Sequence, residues 1–358
     1  MSFLNKKIIS FEPEVFGVDL SDLSVKIMQL ERDGKLEKVR GYAVADIPAG
    51  YIEDGKIIDK DKVAAIIKDA VKKAGPQKIK GNRVICSLPE SKAFLRIVSI
   101  PKMEKEEARE AIKWEMEANI PLPIEQVYFD WQFLETDSTQ KQNVLTAAVS
   151  REIVDDFMDV LKKSGLEVYG LEVESIASAR SLVPWEIKEQ GGALIVDLGA
   201  QRTSFIMVER GVPNFTSSIP FSSESINDAI SKGLNIDLTE AEKTKLAHGI
   251  ADGKDNPIFN VLKSLLENLV QEIERTLDFY AGISKENSAV EKVILCGGGS
   301  NLKGLVGYLG ERLGKKIELG DPWINLKMGK SIPIISKENA DRYSTAIGLA
   351  LRGLDYEN

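Results

Sequence analysis

The sequence predicts an α/β fold made of two related halves, with a small α+β subdomain inserted into the first half. Two segments, FGVDLSDLSVKIMQLERDG from Phe16 and ALIVDLGAQRTSFIMVERG from Ala193, align without a gap; each has an apolar strand, an acid at its end and a second apolar strand. Around the first copy, strands and a helix follow each other as in α/β folds. Residues 90–170 have a different pattern, which indicates the insertion.

Composition limits the classes of function. A chain of 358 residues is expected to form two or three domains. The net charge of −8 argues against a nucleic-acid-binding protein, which would usually present a basic face. The two cysteines lie far apart and the single histidine, His248, lies in a polar run, so we expect neither a disulfide framework nor a multi-histidine metal site.

Direct membrane insertion is not expected. No run of the sequence approaches the roughly 18 apolar residues that a membrane span needs. The C-terminal stretch ALRGLDYEN is short and acidic, unlike a basic amphipathic anchor.

In the first half, alternating apolar and polar residues over 15–45 predict a three-stranded meander. Residues 59–75 have the apolar spacing, acidic start and glycine stop of a helix, and 82–89 is a buried strand that a proline ends. The insertion then predicts the order strand, helix, strand, strand, helix. Its elements span 92–101, 103–120, 127–135, 143–150 and 151–165.

A helix predicted over 171–183 leads to the second half. The second acidic hairpin follows it, and then three helices, a strand that runs through three glycines into a helix, and a final helix. These later elements span 222–235, 238–249, 256–284, 290–314 and 336–354.

Two acids are candidates for binding a metal ion. Asp19 and Asp197 each follow an apolar strand, so the duplication places one carboxylate at each turn. Mg²⁺ prefers one or two carboxylates together with phosphates and water, so the pair suits a magnesium–nucleotide site. A single Asp at a strand end is usually a turn former, and only the paired context favours the site. Lys26, at the far side of the first turn, would either neutralise a phosphate or be an exposed strand lysine.

Three further features could contact a nucleotide. Gly297–Gly299 lie between a strand and a helix, where glycines let the backbone approach a ligand, although they match neither the dinucleotide fingerprint nor a Walker A loop. Glu242 and Lys245 lie one helical turn apart and would either flank a nucleoside or form a surface ion pair. Glu174 would either orient a water at a terminal phosphate or stabilise a helix N-terminus.

With these parts in this order, the chain resembles the actin-like ATPase superfamily, whose fold is a duplicated ribonuclease-H-like unit. The matching motifs are VDLSDLSVK (18–26), LEVESIASA (171–179), VDLGAQRTS (196–204) and ILCGGGSNLKGL (294–305). The insertion, with its IPLPIE turn and DWQ strand, resembles that of the PilM family of type IV pilus assembly proteins, with the FtsA cell-division proteins as cousins. Actin, Hsp70 and the sugar kinases lack it at this position.

The resemblance implies a site for ATP or ADP with Mg²⁺. Asp19 and Asp197 would hold the ion through water, and Glu174 would lie near the attacking water. The other residues implied to contact the nucleotide are Ser21, Ser24, Lys26, Gly199, Ala200, Gln201, Arg202, Thr203, Glu242, Lys245, Gly297, Gly298, Gly299, Asn301 and Leu302. The first turn departs from the family pattern, because Asp22 adds a negative charge and Leu23 supplies no hydroxyl, so we expect weakened phosphate binding or hydrolysis. We expect hydrolysis to be slow or absent, because the implied function is binding in which nucleotide biases partner affinity.

The resemblance also implies four actin-like subdomains. These are 1A (1–89, 171–192 and 328–358), the inserted 1C (90–170), 2A (193–221 and 285–327) and the helical 2B (222–284). It implies a cytoplasmic scaffold of a type IV pilus, or of a related secretion or competence machine. The insertion would dock the cytoplasmic N-terminal peptide of a PilN-like single-pass membrane protein, which would hold the scaffold peripherally at the inner membrane.

Pilus motor ATPases and further copies of the chain are the other implied partners. Two other functions stay open. An FtsA-like division filament protein would carry a C-terminal amphipathic membrane helix, and a small-molecule kinase would need a general base, for which Glu174 is the candidate.

Overall fold

The computed structural model describes residues 14–135, 138–185, 192–251, 256–283, 290–328 and 335–355. Within these ranges the chain forms two large mixed sheets with helices packed on them, and a third, smaller sheet in the inserted segment.

The first half is built on one six-stranded sheet. Its strands are β1 (Val15–Leu20), β2 (Ser24–Asp33), β3 (Leu36–Asp46), β6 (Gly75–Pro76), β7 (Arg83–Leu88) and β11 (Glu167–Val173), in the order β11-β7-β1-β2-β3-β6. A short hairpin and a helix connect β3 to β6; they are β4 (Ile52–Glu53), β5 (Lys56–Ile57) and α1 (Lys60–Lys73). Asp59 caps α1 by accepting a hydrogen bond from the Lys62 N–H, and the helix buries Val63 and Ile67 against the sheet.

The insertion has its own sheet and core. Its elements are β8 (Ala93–Pro101), α2 (Lys105–Asn119), β9 (Val127–Phe133) and β10 (Lys141–Ser150), with the strands in the order β8-β10-β9. Helix α2 buries Ala108, Ile112 and Met116, spaced four residues apart, against this sheet. In this order β8 and β9 are the two edge strands of the small sheet.

The elements after β10 largely follow the sequence prediction. The helix predicted over 151–165 is present as α3 (Arg151–Lys163), and it buries Phe157 and Leu161 in the core of the six-stranded sheet. The helix predicted over 171–183 is present as α4 (Glu174–Leu182), but it begins three residues later, because residues 167–173 form strand β11 and pair in parallel with β7. The four-subdomain division, with the insertion over 90–170, stays a prediction.

The second half is built on a five-stranded sheet. Its strands are β12 (Gly192–Leu198), β13 (Thr203–Glu209), β14 (Val212–Ile219), β15 (Val290–Cys296) and β16 (Lys316–Leu319), in the order β14-β13-β12-β15-β16. The helices that follow along the chain are α5 (Ser223–Leu234), α6 (Leu238–His248), α7 (Pro257–Ile283), α8 (Leu305–Leu313), α9 (Lys337–Ala340) and α10 (Ser344–Asp355), of which α10 packs on the first sheet. The final helix predicted over 336–354 is thus interrupted, with a 3₁₀ turn at Asp341–Tyr343 between α9 and α10.

The duplication inferred from sequence is present in the strand order. β1 lies between antiparallel β2 and parallel β7, and β12 lies between antiparallel β13 and parallel β15. Each acidic hairpin therefore occupies the same place in its own sheet.

Helices α4 and α10 lie between the two sheets and join the halves. They cross closely at Gly348, where a Cβ would clash with the Ala177 carbonyl oxygen, and the Ser178 and Thr345 hydroxyls lie 3.0 Å apart in the buried contact. Helix α10 packs on β1 and β2, while Leu182 of α4 packs against the second sheet. A displacement of α4 would therefore change packing contacts in both halves.

Candidate functional site

The two hairpin turns have the same backbone geometry. The Ser21 N–H donates to the Ser24 carbonyl oxygen, and the Gly199 N–H donates to the Arg202 carbonyl oxygen, each at 2.9 Å. In the first turn the Ser21 and Ser24 hydroxyls also lie 3.1 Å apart. The turns differ mainly in their side chains.

In the first hairpin the acid is part of an ion pair. Asp19 lies opposite Lys26 in the strand register, and its Oδ2 accepts from the Lys26 Nζ at 3.0 Å. Its Oδ1 accepts from the Ser87 hydroxyl of β7 at 3.2 Å. Burial lowers the pKa of Lys26, but Asp19 and, more weakly, Asp197 offset this, so that the pKa of the ammonium is raised overall. Lys26 is therefore a largely buried, charged group and not an exposed strand lysine.

In the second hairpin the acid has no lysine in the corresponding place. Asp197 lies opposite Ser204 in the register, and its neighbour in β15 is Cys296, whose thiol forms a hydrogen bond with it. Burial raises the pKa of Asp197 to about 6, helped by Asp19 and opposed by Lys26.

Glu174 comes close to both acids. Burial raises the pKa of Glu174 well above its ordinary value, and the negative charges of Asp19, Glu90 and Asp197 raise it further. The carboxylate is fixed by the Glu90 N–H, which donates to its Oε2 at 3.2 Å. The structure thus brings together the three acids that the sequence pointed to on separate elements.

The triple glycine fits closely under the second acid. Gly297 has φ +79°, and a Cβ there would clash with Asp197 Oδ1 and the Leu198 carbonyl oxygen, so this position requires glycine. Gly298 and Gly299 begin a 3₁₀ turn that ends at Asn301. Only glycine lets β12 and this turn approach so closely.

Asp341 was not foreseen from the sequence. It is almost fully buried, and its Oδ2 accepts from the Ser300 hydroxyl at 2.5 Å and from the Asn301 amide at 2.9 Å. It ties the glycine turn to the start of α10, and burial raises its pKa. Asn301, predicted to contact nucleotide, is held by this bond. The serine and the asparagine that follow the glycines could have indicated a hydrogen-bonded turn. Their partner, Asp341, lies about 40 positions further along the chain.

The second turn is anchored to the start of α5. The Ser223 N–H donates to the Gly199 carbonyl oxygen, and the Glu224 N–H donates to that of Ala200, each at 3.0 Å. Thr203 is fully buried, and its hydroxyl donates to the Phe221 carbonyl oxygen at 2.8 Å. The Thr203 hydroxyl therefore anchors the second turn to Phe221, and the contact of residues 199–203 with phosphates stays a prediction.

The turn side chains reach across to the first half. The Arg202 guanidinium contacts the Ser218 hydroxyl at 3.0 Å and lies 3.9 Å from the Asp54 carboxylate in the β4–β5 turn. Asp22 is bound to the same turn, since its Oδ1 accepts from the Gly55 N–H at 2.8 Å. The Asp22 carboxylate thus accepts a hydrogen bond from the β4–β5 turn. This bond stabilises its negative charge next to the place where phosphates are expected.

Lys245 and Glu242 have different environments. Lys245 is buried and donates to the Ser223 hydroxyl at 2.7 Å, at the same helix start that anchors the second turn. Burial lowers its pKa, which Glu242 partly offsets. Glu242 is exposed. The end of α6 also meets the glycine element, because the Ile250 N–H donates to the Lys303 carbonyl oxygen. The α6 pair, the second turn and the glycines therefore surround one region.

The arrangement fits a magnesium–nucleotide better than a metal ion alone. Among the described residues, no His, Cys, Asp and Glu side chains group together closely enough to hold a metal by themselves. Asp197, without a lysine opposite it, is available to a cation, and Lys26 and Lys245 place positive charge near the two turns. An ion at this place would need phosphates and water to complete its coordination.

We call the region around Asp19, Glu174 and Asp197 the cleft, and a second feature lies away from it. A cavity of about 580 Å³ separates β9 of the insertion from β11 and α4. It is lined by Leu88, Tyr128, Phe129, Asp130, Trp131, Gln132, Leu145, Ala147, Val149, Val154, Leu171, Glu172, Val173, Ile176, Arg180 and Arg352. We call this cavity the insert groove.

In the part of the chain that the structure describes, no helix combines the length and apolarity that a membrane crossing needs.

The family model of the type IV pilus assembly protein PilM matches residues 17–354. Among solved structures, the chain is similar to a PilM–PilN type IV pilus biogenesis complex, with a TM-score of 0.81 and 26% identity over 96% of this chain and 99% of that one. It is also similar in fold to MreB5 of Spiroplasma citri bound to ADP, with a TM-score of 0.52 and 15% identity over 96% and 97% of the two chains. These likenesses confirm the predicted actin-like fold.

A curated relative is the cell division protein FtsA of Pseudomonas aeruginosa, 24% identical over 237 residues, which cover 61% of this chain and 55% of that protein. The chain spans about half the length of the first curated relatives it matches.

Proposed function

The chain belongs to the type IV pilus assembly protein PilM family, and on that premise we propose that it is an ATP-binding scaffold of the pilus assembly platform that docks a PilN-like membrane protein. This membership favours the pilus role over the division-filament and kinase alternatives. The proposal has two parts, a nucleotide in the cleft and a peptide in the insert groove.

Different cleft residues would contact the metal ion, the phosphates and the nucleoside of ATP or ADP. Asp197 and Asp19 would hold Mg²⁺ through water, and the bound nucleotide would supply the phosphates that complete the coordination. The backbone N–H groups of the two turns and the Lys26 ammonium would bind phosphate oxygens. Glu242, Lys245 and the turn at Gly297–Leu302 would enclose the nucleoside, and Glu174 would lie near an attacking water. The raised pKa of Glu174 suits a group that holds a proton, and we propose at most slow hydrolysis.

The observation that carries the docking proposal is that two sheet edges face the insert groove. β9 is an edge strand of the small sheet and β11 is an edge strand of the six-stranded sheet. The groove is lined by five consecutive residues of β9 (128–132) and three of β11 (171–173). Because successive strand side chains point to opposite faces, consecutive lining residues mean that the groove runs along the strand edges, where backbone groups can pair with an added strand.

The chemistry of the groove suits a peptide with apolar side chains. Its walls are mainly apolar, with Leu145, Val149 and Ile176 among the lining residues. A structure of a related chain is of a PilM–PilN complex, and we propose that the cytoplasmic N-terminal peptide of a PilN-like protein lies here in extended form. The protein would then be cytoplasmic and held at the inner membrane by this partner. Pilus motor ATPases and self-association are further proposed contacts, and a related secretion or competence machine would use the same docking.

The docking is tested by calorimetry with a synthetic peptide of the N-terminal cytoplasmic residues of the PilN homologue from the same genome. Ala147→Trp fills the groove and is expected to lower the peptide affinity at least about tenfold, a change of about 1.4 kcal/mol. Ala118→Trp, on the exposed side of α2 in the same insertion, is the matched control and leaves the affinity unchanged. Equal losses in both variants, or no binding to the unaltered protein, would contradict the docking proposal.

A further inference from the structure

Both oxygens of the Asp341 carboxylate accept hydrogen bonds from the protein. Its Oδ2 accepts from the Ser300 hydroxyl at 2.5 Å and from the Asn301 amide at 2.9 Å, and its Oδ1 accepts from the Arg342 N–H at 2.7 Å. Bonds to a carboxylate are stronger than bonds between neutral groups, and the residue is 1% exposed, so water does not compete for them. Asp341 therefore holds its neighbours in the protein and is shielded from a ligand in the cleft.

The segment that Asp341 holds is the glycine turn after β15. The 3₁₀ turn Gly298–Asn301 has the sequence GGSN, so Ser300 and Asn301 carry its only side chains, and both of them donate to Asp341. The Gly297 N–H, at the entry to the turn, donates to the Asp341 carbonyl oxygen at 3.4 Å. Glycine has more backbone freedom than other residues, so these bonds restrict a segment that its own residues hold only weakly.

The support behind Asp341 is a packed helix. Asp341 begins the 3₁₀ turn that leads into α10, and α10 packs on β1 and β2 of the first sheet. The glycine turn is therefore held from outside, by a carboxylate on an element that is itself fixed in the core. A loop that already has its bound shape binds a ligand more tightly, because ordering the loop on binding costs free energy.

The two hairpin turns, which are proposed to bind the phosphates, have other anchors. The first turn is bonded through Asp22 to the Gly55 N–H, and the second is bonded at the Gly199 carbonyl oxygen to the start of α5. The negative charge of Asp341 acts unfavourably on the Asp197 carboxylate. Removal of the Asp341 charge should therefore leave the binding of a negative magnesium–phosphate ligand unchanged or slightly stronger.

We infer that Asp341 is a positioning residue for the nucleoside part of a bound nucleotide. It holds the glycine turn in the shape that encloses the sugar and the base, while the hairpin turns bind the phosphates without its help. The inference rests on the proposed function and adds to the nucleoside subsite a residue that does not itself touch the ligand. A merely structural role of Asp341 would instead lower the affinity for every ligand of the cleft.

The experiment compares two ligands that share the phosphates and differ in the nucleoside. The full chain is titrated by calorimetry with Mg-ADP and with magnesium pyrophosphate. In Asp341→Ala we expect the affinity for Mg-ADP to fall at least about tenfold and the affinity for pyrophosphate to stay within about twofold of the unaltered protein. Asp341→Asn keeps one acceptor oxygen for Ser300 and Asn301, so its loss of Mg-ADP affinity should be smaller, about threefold, again with pyrophosphate unchanged.

Asn325→Ala is the matched control. Asn325 is buried at the end of α4 that lies away from Glu174, and its side chain bonds the Trp185 N–H and the carbonyl oxygens of Arg180 and Val183. Its removal therefore takes a comparable set of hydrogen bonds from another junction, and both affinities should stay within about twofold. Thermal unfolding of each variant shows whether it is folded at the titration temperature and by how much it is destabilised.

The outcomes separate the inference from the proposed function. Equal losses for the two ligands in Asp341→Ala, or an unchanged affinity for Mg-ADP, would overturn the positioning role and leave the nucleotide site in place. If the alanine variant does not fold, Asp341→Asn decides, and unchanged binding of both ligands by that variant would overturn the role. Pyrophosphate that does not bind the unaltered protein would also overturn it, since the phosphate part would then not bind independently. Failure of the unaltered protein to bind Mg-ADP would overturn the proposed nucleotide site and the inference with it.

Discussion

The two hairpins of the cleft share a backbone and differ in the residue that faces the acid. Asp19 faces Lys26 and forms a 3.0 Å ion pair, whereas Asp197 faces Ser204. In the first half the negative charge is neutralised within the protein. In the second half no lysine faces the carboxylate in the strand register, and burial raises the pKa of Asp197 to about 6. The two acids of the duplication therefore differ in their charge environment, since Asp19 is paired with a facing lysine and Asp197 is not.

The turns themselves have also diverged in charge. The first turn carries Asp22 and the second carries Arg202, and both reach the same β4–β5 hairpin, at Gly55 and Asp54 respectively. The first contact is a short hydrogen bond to a backbone N–H, and the second is a long contact between partly exposed charges. The first turn is thus fixed within its own half, while the second makes a weaker contact across the cleft.

The largest expected effect comes from removing the acid of the first hairpin. Asp19→Asn leaves the largely buried Lys26 ammonium without its counter-charge, and because loss of one partner of a fully buried ion pair costs about 3–5 kcal/mol, we expect the free energy of unfolding to fall by about 3 kcal/mol. Urea unfolding at pH 7.5 measures the loss. The double variant Asp19→Asn, Lys26→Met removes both charges and is expected to recover most of it; an equally unstable double variant would mean that the pair itself is not the cause.

The same change in the second hairpin is expected to act in the opposite direction. The pKa of Asp197 is about 6 in the folded chain against an ordinary value of 3.8, so the folded state binds more protons between these pH values and the ionised carboxylate costs stability above pH 6. Asp197→Asn removes this cost, which amounts to at most about 3 kcal/mol. The gain should be complete at pH 7.5 and vanish as the pH falls below 3.8. A destabilised Asp197→Asn protein at pH 7.5 would contradict the comparison.

That stability gain should be accompanied by a loss of binding. If Asp197 holds the magnesium–nucleotide, Asp197→Asn lowers its affinity about a hundredfold, or about 2.7 kcal/mol, and the unaltered protein itself binds less tightly below pH 6 as the carboxylate takes up a proton. Calorimetry with Mg-ADP at pH 7.5 and pH 5.5 measures both. Unchanged affinity in the variant would remove Asp197 from the site.

The sequence predicted the hairpins and their acids well because each is encoded locally, in an apolar strand, an acid and a turn. Strand β11 was not predicted, because residues 167–173 are placed by parallel pairing with β7, which local periodicity does not contain. Asp341 was missed for a related reason, since its hydrogen bonds reach a turn distant in sequence. The Asp22 carboxylate was assigned to the phosphate region from its position in the turn, whereas its partner, the Gly55 N–H, lies on another hairpin.

The smallest expected effect concerns the contact across the cleft. Asp54 and Arg202 are 3.9 Å apart and their side chains are 59% and 39% exposed, so solvent screens the pair and its contribution to stability is below about 1 kcal/mol. Asp54→Asn would release the guanidinium for a phosphate, and nucleotide affinity should rise by no more than about fivefold at low salt, with the difference lost near 1 M salt, where the Debye length falls to about 3 Å. Lys92 also pairs with Asp54, at 2.6 Å, so Lys92→Met is the matched control: it removes a cation from the same carboxylate without releasing Arg202. Equal effects of the two variants would mean that the second turn responds to the general field of the β4–β5 hairpin and not to this contact.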